Sequence, residues 1–263
     1  NLESRISMNN YNAQEKRVIG HIAERLFNIY IIKQQQDRAL KVKELQRTFV
    51  TNETFNGKLE PVFPHAAPIV ISFDDNYAIS GGALINSIVR HSDKNTHYDI
   101  VVLENKVSNL NKQRLLKLVS AQQNFSLRFF DVNAFTELNG VHTRAHFSAS
   151  TYARLFIPQL FREYEKVIFI DSDTVVTADL ATLLNVDLGT NLVAAVKDIV
   201  MEGFVKFGAM SESADGVMPA GEYLQKTLKM TNPDEYFQAG IIVFNVAQMV
   251  QEDTFWATLK TII

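Results

Sequence analysis

The sequence predicts an α/β protein, a sheet flanked by helices and preceded by a helical extension. Two observations carry that prediction. From Pro61 onward, short apolar runs rich in β-branched residues alternate with stretches of helical spacing, the pattern of an α/β sheet. Three of the apolar runs also have an aspartate directly or just beyond their ends: Asp74, Asp171 and Asp198. Ligands of open α/β sheets bind at the carboxyl ends of the strands, so the acids mark one edge of the sheet.

The elements follow in order. Asn12-Ala13-Gln14-Glu15 offers an N-cap with Glu three residues later, a capping-box signature. Val18, Ile19, Ile22, Ala23, Leu26, Ile29 and Tyr30 then recur at helical spacing. A second, more polar helical stretch runs from about Asp37 to Phe49. Residues 1–60 therefore read as a helical extension, or as the tail of a preceding domain, suited to an oligomer or domain contact. Pro61, Pro64 and Pro68 punctuate the change to a new unit over 61–263. Its predicted strands are Ile69–Phe73, Ile100–Leu103, Leu127–Phe130, Val167–Ile170, Leu192–Val196 and Ile241–Phe244. Its predicted helices are Ala83–His91, Leu110–Ala121, Tyr152–Leu160, Leu180–Leu184 and Gln248 to the end. Residues 200–235 show weak periodicity and read as a long excursion over the site.

Composition narrows the function classes. With 46% hydrophobic and 21% charged residues, the chain can bury an ordinary core. The net charge of −3 gives no general argument for nucleic acid. Residues 1–60 carry ten Lys and Arg against seven Asp and Glu, and residues 61–263 carry sixteen against twenty-two. There is no cysteine, which excludes a disulfide framework, Cys-ligated zinc and a thiol nucleophile. No apolar run reaches the ~18–20 residues of a membrane span, and no signal peptide opens the chain. The expected location is cytoplasmic, with room for peripheral contact at the inner face of a membrane. Both ends look cut, because the chain begins at Asn1 and stops at Ile263 inside a predicted helix.

The sharpest motif is Val167-Ile168-Phe169-Ile170-Asp171-Ser172-Asp173. Strand side chains alternate faces, so Asp171 and Asp173 are expected to point the same way. Two hard oxygen donors on one side suit magnesium or manganese, and such a cation suits a phosphate-bearing substrate. The strand Ile69–Phe73 leads into Asp74-Asp75-Asn76-Tyr77. Its amide and carboxylates could hydrogen-bond a base or ribose, and the Tyr77 ring could stack on one; helix capping explains the cluster equally well. Arg154 lies among apolar residues in Thr151-Tyr152-Ala153-Arg154-Leu155, as an ion-pair partner or an anion binder. Asp198 follows the strand Leu192–Val196. Gln238-Ala239-Gly240 precedes Ile241–Phe244, where small residues let backbone approach a ligand.

Taken in order, Phe73–Tyr77, Thr151–Leu155, Lys166–Asp173 and Tyr236–Gly240 closely resemble glycosyltransferase family 8. The resemblance covers residues 69–247. It implies a GT-A (Rossmann-like), nucleotide-sugar-binding mixed sheet and a retaining hexosyltransferase. The implied donor is a UDP-sugar, UDP-glucose or UDP-galactose. The implied acceptor is a hydroxyl of a glycan, lipid-linked sugar or glycoprotein. By the same resemblance Ser72, Asp74, Asp75, Asn76 and Tyr77 hold the nucleotide, and Asp171 and Asp173 hold Mn2+ or Mg2+. Ser172 and Ala239 line the donor, while Arg154, Asp198 and Gln238 meet the reacting sugar. Many members carry Asn where Gln238 stands. A further acid-Gln-acid motif and a late metal-binding His are family elements that this chain stops before, and all six of its histidines precede Asp171. Two other readings stay open. Asp171-Ser172-Asp173-Thr174-Val175 also fits a haloacid-dehalogenase-like phosphatase, with Asp171 as nucleophile and Asp173 as general acid/base. The missing elements would also suit a non-catalytic nucleotide-sugar-binding module.

Overall fold

A computed structural model of the chain describes residues 58–132, 152–213 and 216–252. The expected extension therefore lies outside the described residues but for residues 58–60. Most of the terminal helix predicted from Gln248 lies outside them too. All described residues fall in one compact unit.

The first strand, β1 (Ala67–Asp74), is buried along almost its whole length. A 3-10 turn, Asp75–Tyr77, leads into α1 (Ala78–His91). Next come β2 (Tyr98–Asn105), α2 (Asn109–Val119) and β3 (Phe125–Asp131). A 3-10 turn, Arg154–Phe156, and the single turn α3 (Ile157–Leu160) precede β4 (Lys166–Ile170). The continuous helix expected over Tyr152–Leu160 is thus broken: Pro158 lies in the first turn of α3, where its missing N–H costs nothing, but it cannot sit inside a longer helix. Another 3-10 segment, Leu180–Asn185, precedes β5 (Val193–Lys197).

The long excursion is more structured than its composition suggests. It holds α4 (Ile199–Phe207), a hairpin of β6 (Met210–Ser213) with β7 (Gly216–Pro219), the turn α5 (Ala220–Glu222) and a π-helical turn, Tyr223–Thr227. No residue of α4 is buried. The chain then enters β8 (Phe237–Asn245) and the turn α6 (Val246–Met249).

The main sheet has the order β3-β2-β1-β4-β8-β5. Strands β1, β2, β3 and β4 pair in parallel, and β8 runs antiparallel between β4 and β5. Strands buried on both faces read as unbroken apolar runs, which is why they were visible in the sequence. On one face Ile69, Ile71, Phe73, Ile168 and Ile170 pack with Leu84, Ile85 and Ile88 of α1. On the other, Val70, Val167 and Phe169 pack with Phe156, Ile157, Leu160 and Phe161. The charges inside this core are paired, as the desolvation cost of a lone charge requires. Asp99 is fully buried and accepts from Arg128 Nη2 and Tyr164 Oη, both at 2.6 Å. Glu104 accepts from Lys112 and, at 2.7 Å, from the Val107 N–H.

The topology itself marks a ligand edge. The chain leaves β1 to one side, toward β2 and β3, and continues on the other with β4. Strand order therefore reverses between β1 and β4. A crevice opens at the carboxyl ends of strands at such a switch point. Asp74 ends β1, and Asp171 follows β4 directly.

Candidate active site

Asp171 is placed by the sheet. Its N–H donates to the Gly240 carbonyl at 2.8 Å, extending the β4–β8 pairing one step past Ile170. The chain turns immediately afterward, with the Thr174 N–H donating to the Asp171 carbonyl at 3.2 Å. Strand alternation therefore does not reach Asp173, contrary to expectation, because the strand ends at Ile170. The turn nevertheless keeps Asp173 close enough to act on Asp171 electrostatically. Burial pushes the Asp171 carboxyl up, and Asp173 adds to the rise while Arg154 opposes it. Ser172 between them is nearly buried.

Arg154 is the hub. Its Nη2 donates to Asp171 Oδ1 at 3.0 Å, and its Nη1 donates to the Ala239 carbonyl at 2.7 Å. The guanidinium carbon lies 4.5 Å from the centre of the Phe169 ring, a cation–π geometry. Phe169 was not singled out from the sequence. It stands two residues before Asp171, however, and strand alternation puts it on the same face.

Gln238 and Gly240 close the cluster. Gln238 Oε1 accepts from the Gly240 N–H at 3.0 Å. A β-carbon on Gly240 would overlap Gln238 Nε2 and lie 2.7 Å from Asp171 Oδ2. The bare glycine thus lets the amide and the carboxylate share one small space. The structure brings Arg154, Asp171, Gln238 and Ala239 into one connected group.

The remaining candidates share the edge but have local tasks. Asp74 Oδ1 accepts from the N–H groups of Asn76 and Tyr77 at 2.9 and 3.3 Å, capping the turn that follows β1. Asp75 Oδ1 accepts from the Ser108 N–H and from Asn111 Nδ2, each at 2.8 Å, tying this turn to α2. Those donors, the Ser108 amide foremost, hold the Asp75 carboxyl below its ordinary range. Ser72 Oγ donates to the Leu103 carbonyl of β2 at 3.0 Å. Tyr77 presents an open ring, 53% exposed, and Asn76 is exposed as well. Asp198 caps α4, with Oδ1 accepting from Val200 and Met201 N–H groups at 2.9 Å. Its own N–H donates to the Tyr236 carbonyl at 3.2 Å, which carries it to the β8 end of the same edge. Burial, and then Asp198, push the Tyr236 hydroxyl up.

For a hard divalent cation the donor chemistry fits in part. Asp171 and Asp173 are oxygen donors of the right type, and Arg154 holds only Oδ1 of Asp171. Among the described residues no group of three or more His, Cys, Asp or Glu converges to complete a metal site. A cavity of about 290 Å³, lined by Pro61, His65, Pro68, Glu163 and Lys166, lies at the opposite edge, at the starts of β1 and β4.

The comparisons agree with this architecture. Residues 68–262 match the family model described as glycosyl transferase family 8, and residues 1–36 match one described as a domain of unknown function (DUF4422). The chain is 82% identical to the solved WbbM bifunctional glycosyltransferase, with a TM-score of 0.72, covering 97% of this chain and 44% of that one. It superposes on the galactosyltransferase LgtC, solved with donor and acceptor sugar analogues, with a TM-score of 0.54 at 24% identity, covering 72% of this chain and 61% of that one. A Haemophilus influenzae protein named as a candidate glycosyltransferase is 28% identical over 192 residues, 73% of this chain and 52% of its own length. The chain spans about half the length of the curated relatives it matches.

Fold and ligand edge together define an α/β protein of the GT-A type. The chain belongs to glycosyltransferase family 8. That membership replaces the haloacid-dehalogenase reading. The position agrees, since Asp171 follows the fourth strand of a GT-A sheet and is paired with Arg154, not presented as a free nucleophile. Among the described residues no helix is long and apolar enough to cross a membrane.

Proposed function

We propose that residues 61–263 carry the donor-binding part of a retaining, metal-dependent hexosyltransferase that uses UDP-glucose or UDP-galactose. The observation that supports this most is the group of Arg154, Asp171, Gln238 and Gly240 at the edge where strand order reverses.

In this reading the turn after β1 receives the nucleoside. Tyr77 offers its exposed face to the base, and Asn76 and the second oxygen of Asp74 offer polar contacts. Asp171 and Asp173 are the residues that would hold Mn2+ or Mg2+. When bound, such an ion would supply positive charge to offset that of the diphosphate leaving group. Arg154, held beside this spot, adds positive charge where negative charge develops. Gln238 and Ala239 form the wall beside the sugar, Gln238 being oriented by the Gly240 N–H. Asp198 stands across the edge, its carboxylate fixed by the α4 cap. Retention follows either front-face attack or a covalent intermediate.

The acceptor hydroxyl belongs to a glycan, lipid-linked sugar or glycoprotein, reached from the cytoplasmic side. Residues 1–60 read as the tail of a preceding domain, supported by the separate family match over 1–36 and by likeness to a bifunctional protein.

Calorimetry tests the assignment. UDP binding in the presence of manganese should lose its metal-dependent part in Asp171→Ala and Asp173→Ala. Unchanged binding in both variants would sink it.

A further inference from the structure

We infer that Arg154 is a positioning residue that occupies Asp171 in the donor-free protein and releases it only when a diphosphate can receive the guanidinium. The inference rests on the reading of Asp171 as a metal ligand.

Three contacts among the described residues help set the arginine in place. It donates to Asp171 Oδ1 at 3.0 Å and to the Ala239 carbonyl at 2.7 Å, and it stacks on Phe169 at 4.5 Å. Its side chain is only 17% exposed. Strand β4 thus supplies the ring, the residue directly after it the carboxylate, and β8 the carbonyl. The planar fork suits such two-point binding, and a lysine could not reproduce it.

A cation arriving at Asp171 meets a positive charge already there. Both draw on one carboxylate, of which Arg154 already takes Oδ1, and like charges this close repel strongly in a partly buried site. Asp173 is exposed and is left as the main foothold for a metal alone. A nucleoside diphosphate changes the balance, because its oxygens accept the guanidinium bidentately. The arginine moves from carboxylate to phosphate, and Asp171 turns to the metal. Metal and nucleotide therefore bind as a coupled pair, each tightening the other by the same factor. The consequence is a site that resists loading by free cations and fills when donor is present.

The test follows free manganese by electron paramagnetic resonance, with melting curves to confirm folding. Wild-type protein should bind manganese weakly alone and more tightly with UDP. Arg154→Gln should bind manganese alone about tenfold more tightly than wild type and show less tightening by UDP, a change within the ordinary range of site coupling. Lys197→Gln, which removes an exposed positive charge at the end of β5 on the same edge, serves as the control for general electrostatics and should leave manganese affinity nearly unchanged. An equal gain in both variants reduces the effect to net charge and overturns the inference. So does no gain in Arg154→Gln. If that variant fails to fold, the wild-type cycle decides alone, and equal manganese affinity with and without UDP overturns the idea. Manganese binding with UDP that ignores Asp171→Ala removes the underlying assignment instead, and the inference with it.

Discussion

Gly240→Ala separates the fold from the site. Gly240 sits inside β8 with an ordinary strand conformation, since it is not among the residues of positive φ. Alanine is therefore allowed by the backbone and should stabilise the strand by roughly 0.5 kcal/mol. The new methyl group overlaps Gln238 Nε2 and lies 2.7 Å from Asp171 Oδ2, where ordinary contact begins at 3.4 Å. The carboxylate oxygen must retreat from 2.7 to 3.4 Å, about 0.7 Å. Both displaced groups are side-chain ends, and turning one off its rotamer costs about 1 kcal/mol. Set against that gain, one or both displacements leave a net loss of only about 0.5–1.5 kcal/mol. Metal–ligand distances, by contrast, tolerate only about 0.2 Å. Disturbing the groups that orient a ligand typically costs about 10–100-fold in metal affinity. The expected outcome is a melting temperature close to wild type, with UDP–manganese binding weaker by one to two orders of magnitude, on that same scale. Calorimetry and a thermal melt on one preparation suffice. Wild-type binding, or a large loss of stability with binding intact, would refute the geometry.

Four further outcomes follow from the packing. In Gly81→Ala a β-carbon would lie 2.6 Å from the buried Phe73 ring, so overpacking between α1 and β1 should cost about 1–3 kcal/mol in denaturant melts. Asp99→Ala leaves Arg128 and Tyr164 without their shared acceptor; it should cost about 3 kcal/mol, and a loss near zero would show that the pair is not needed. Asp198→Ala removes the α4 cap at a cost of about 1 kcal/mol, visible as faster amide exchange in Val200 and Met201. Asp75 has a folded value lowered from 3.8, so its contribution is present above that pH and fades as pH falls through the lowered value. Melting temperatures of wild type and Asp75→Ala should therefore differ at neutral pH and converge in acid.

The strands of the main sheet were legible because burial on both faces forces apolar runs, as in Ile69-Val70-Ile71 and Val167-Ile168-Phe169-Ile170. Helix α4 was not. Its nine residues include the β-branched Ile199, Val200 and Val205 and, at its centre, Gly203, so local propensity argued against a helix there. Pro158 was the available signal against one helix over 152–160. At the site, residue types and strand ends showed which edge carries chemistry. They could not show the ion pair of Arg154 with Asp171, which joins segments 17 residues apart. Nor could they show that Asp74, Asp75 and Asp198 each spend an oxygen on backbone N–H groups, because a capping aspartate and a ligand aspartate look alike in sequence.

Strand β8 enters the sheet at the ligand edge and leaves at the other, opposite in direction to its neighbours. The position of Gln238–Gly240 beside Asp171 is thus fixed by hydrogen-bond register, Ile170 against Ile241, and not by the path of residues 199–236 that lead there. Insertions, deletions and recombination in that segment can proceed without moving the group around Asp171. A slip of one residue within β8 would turn every side chain to the wrong face. Evolution of new specificity has free ground on one side of Phe237 and almost none on the other.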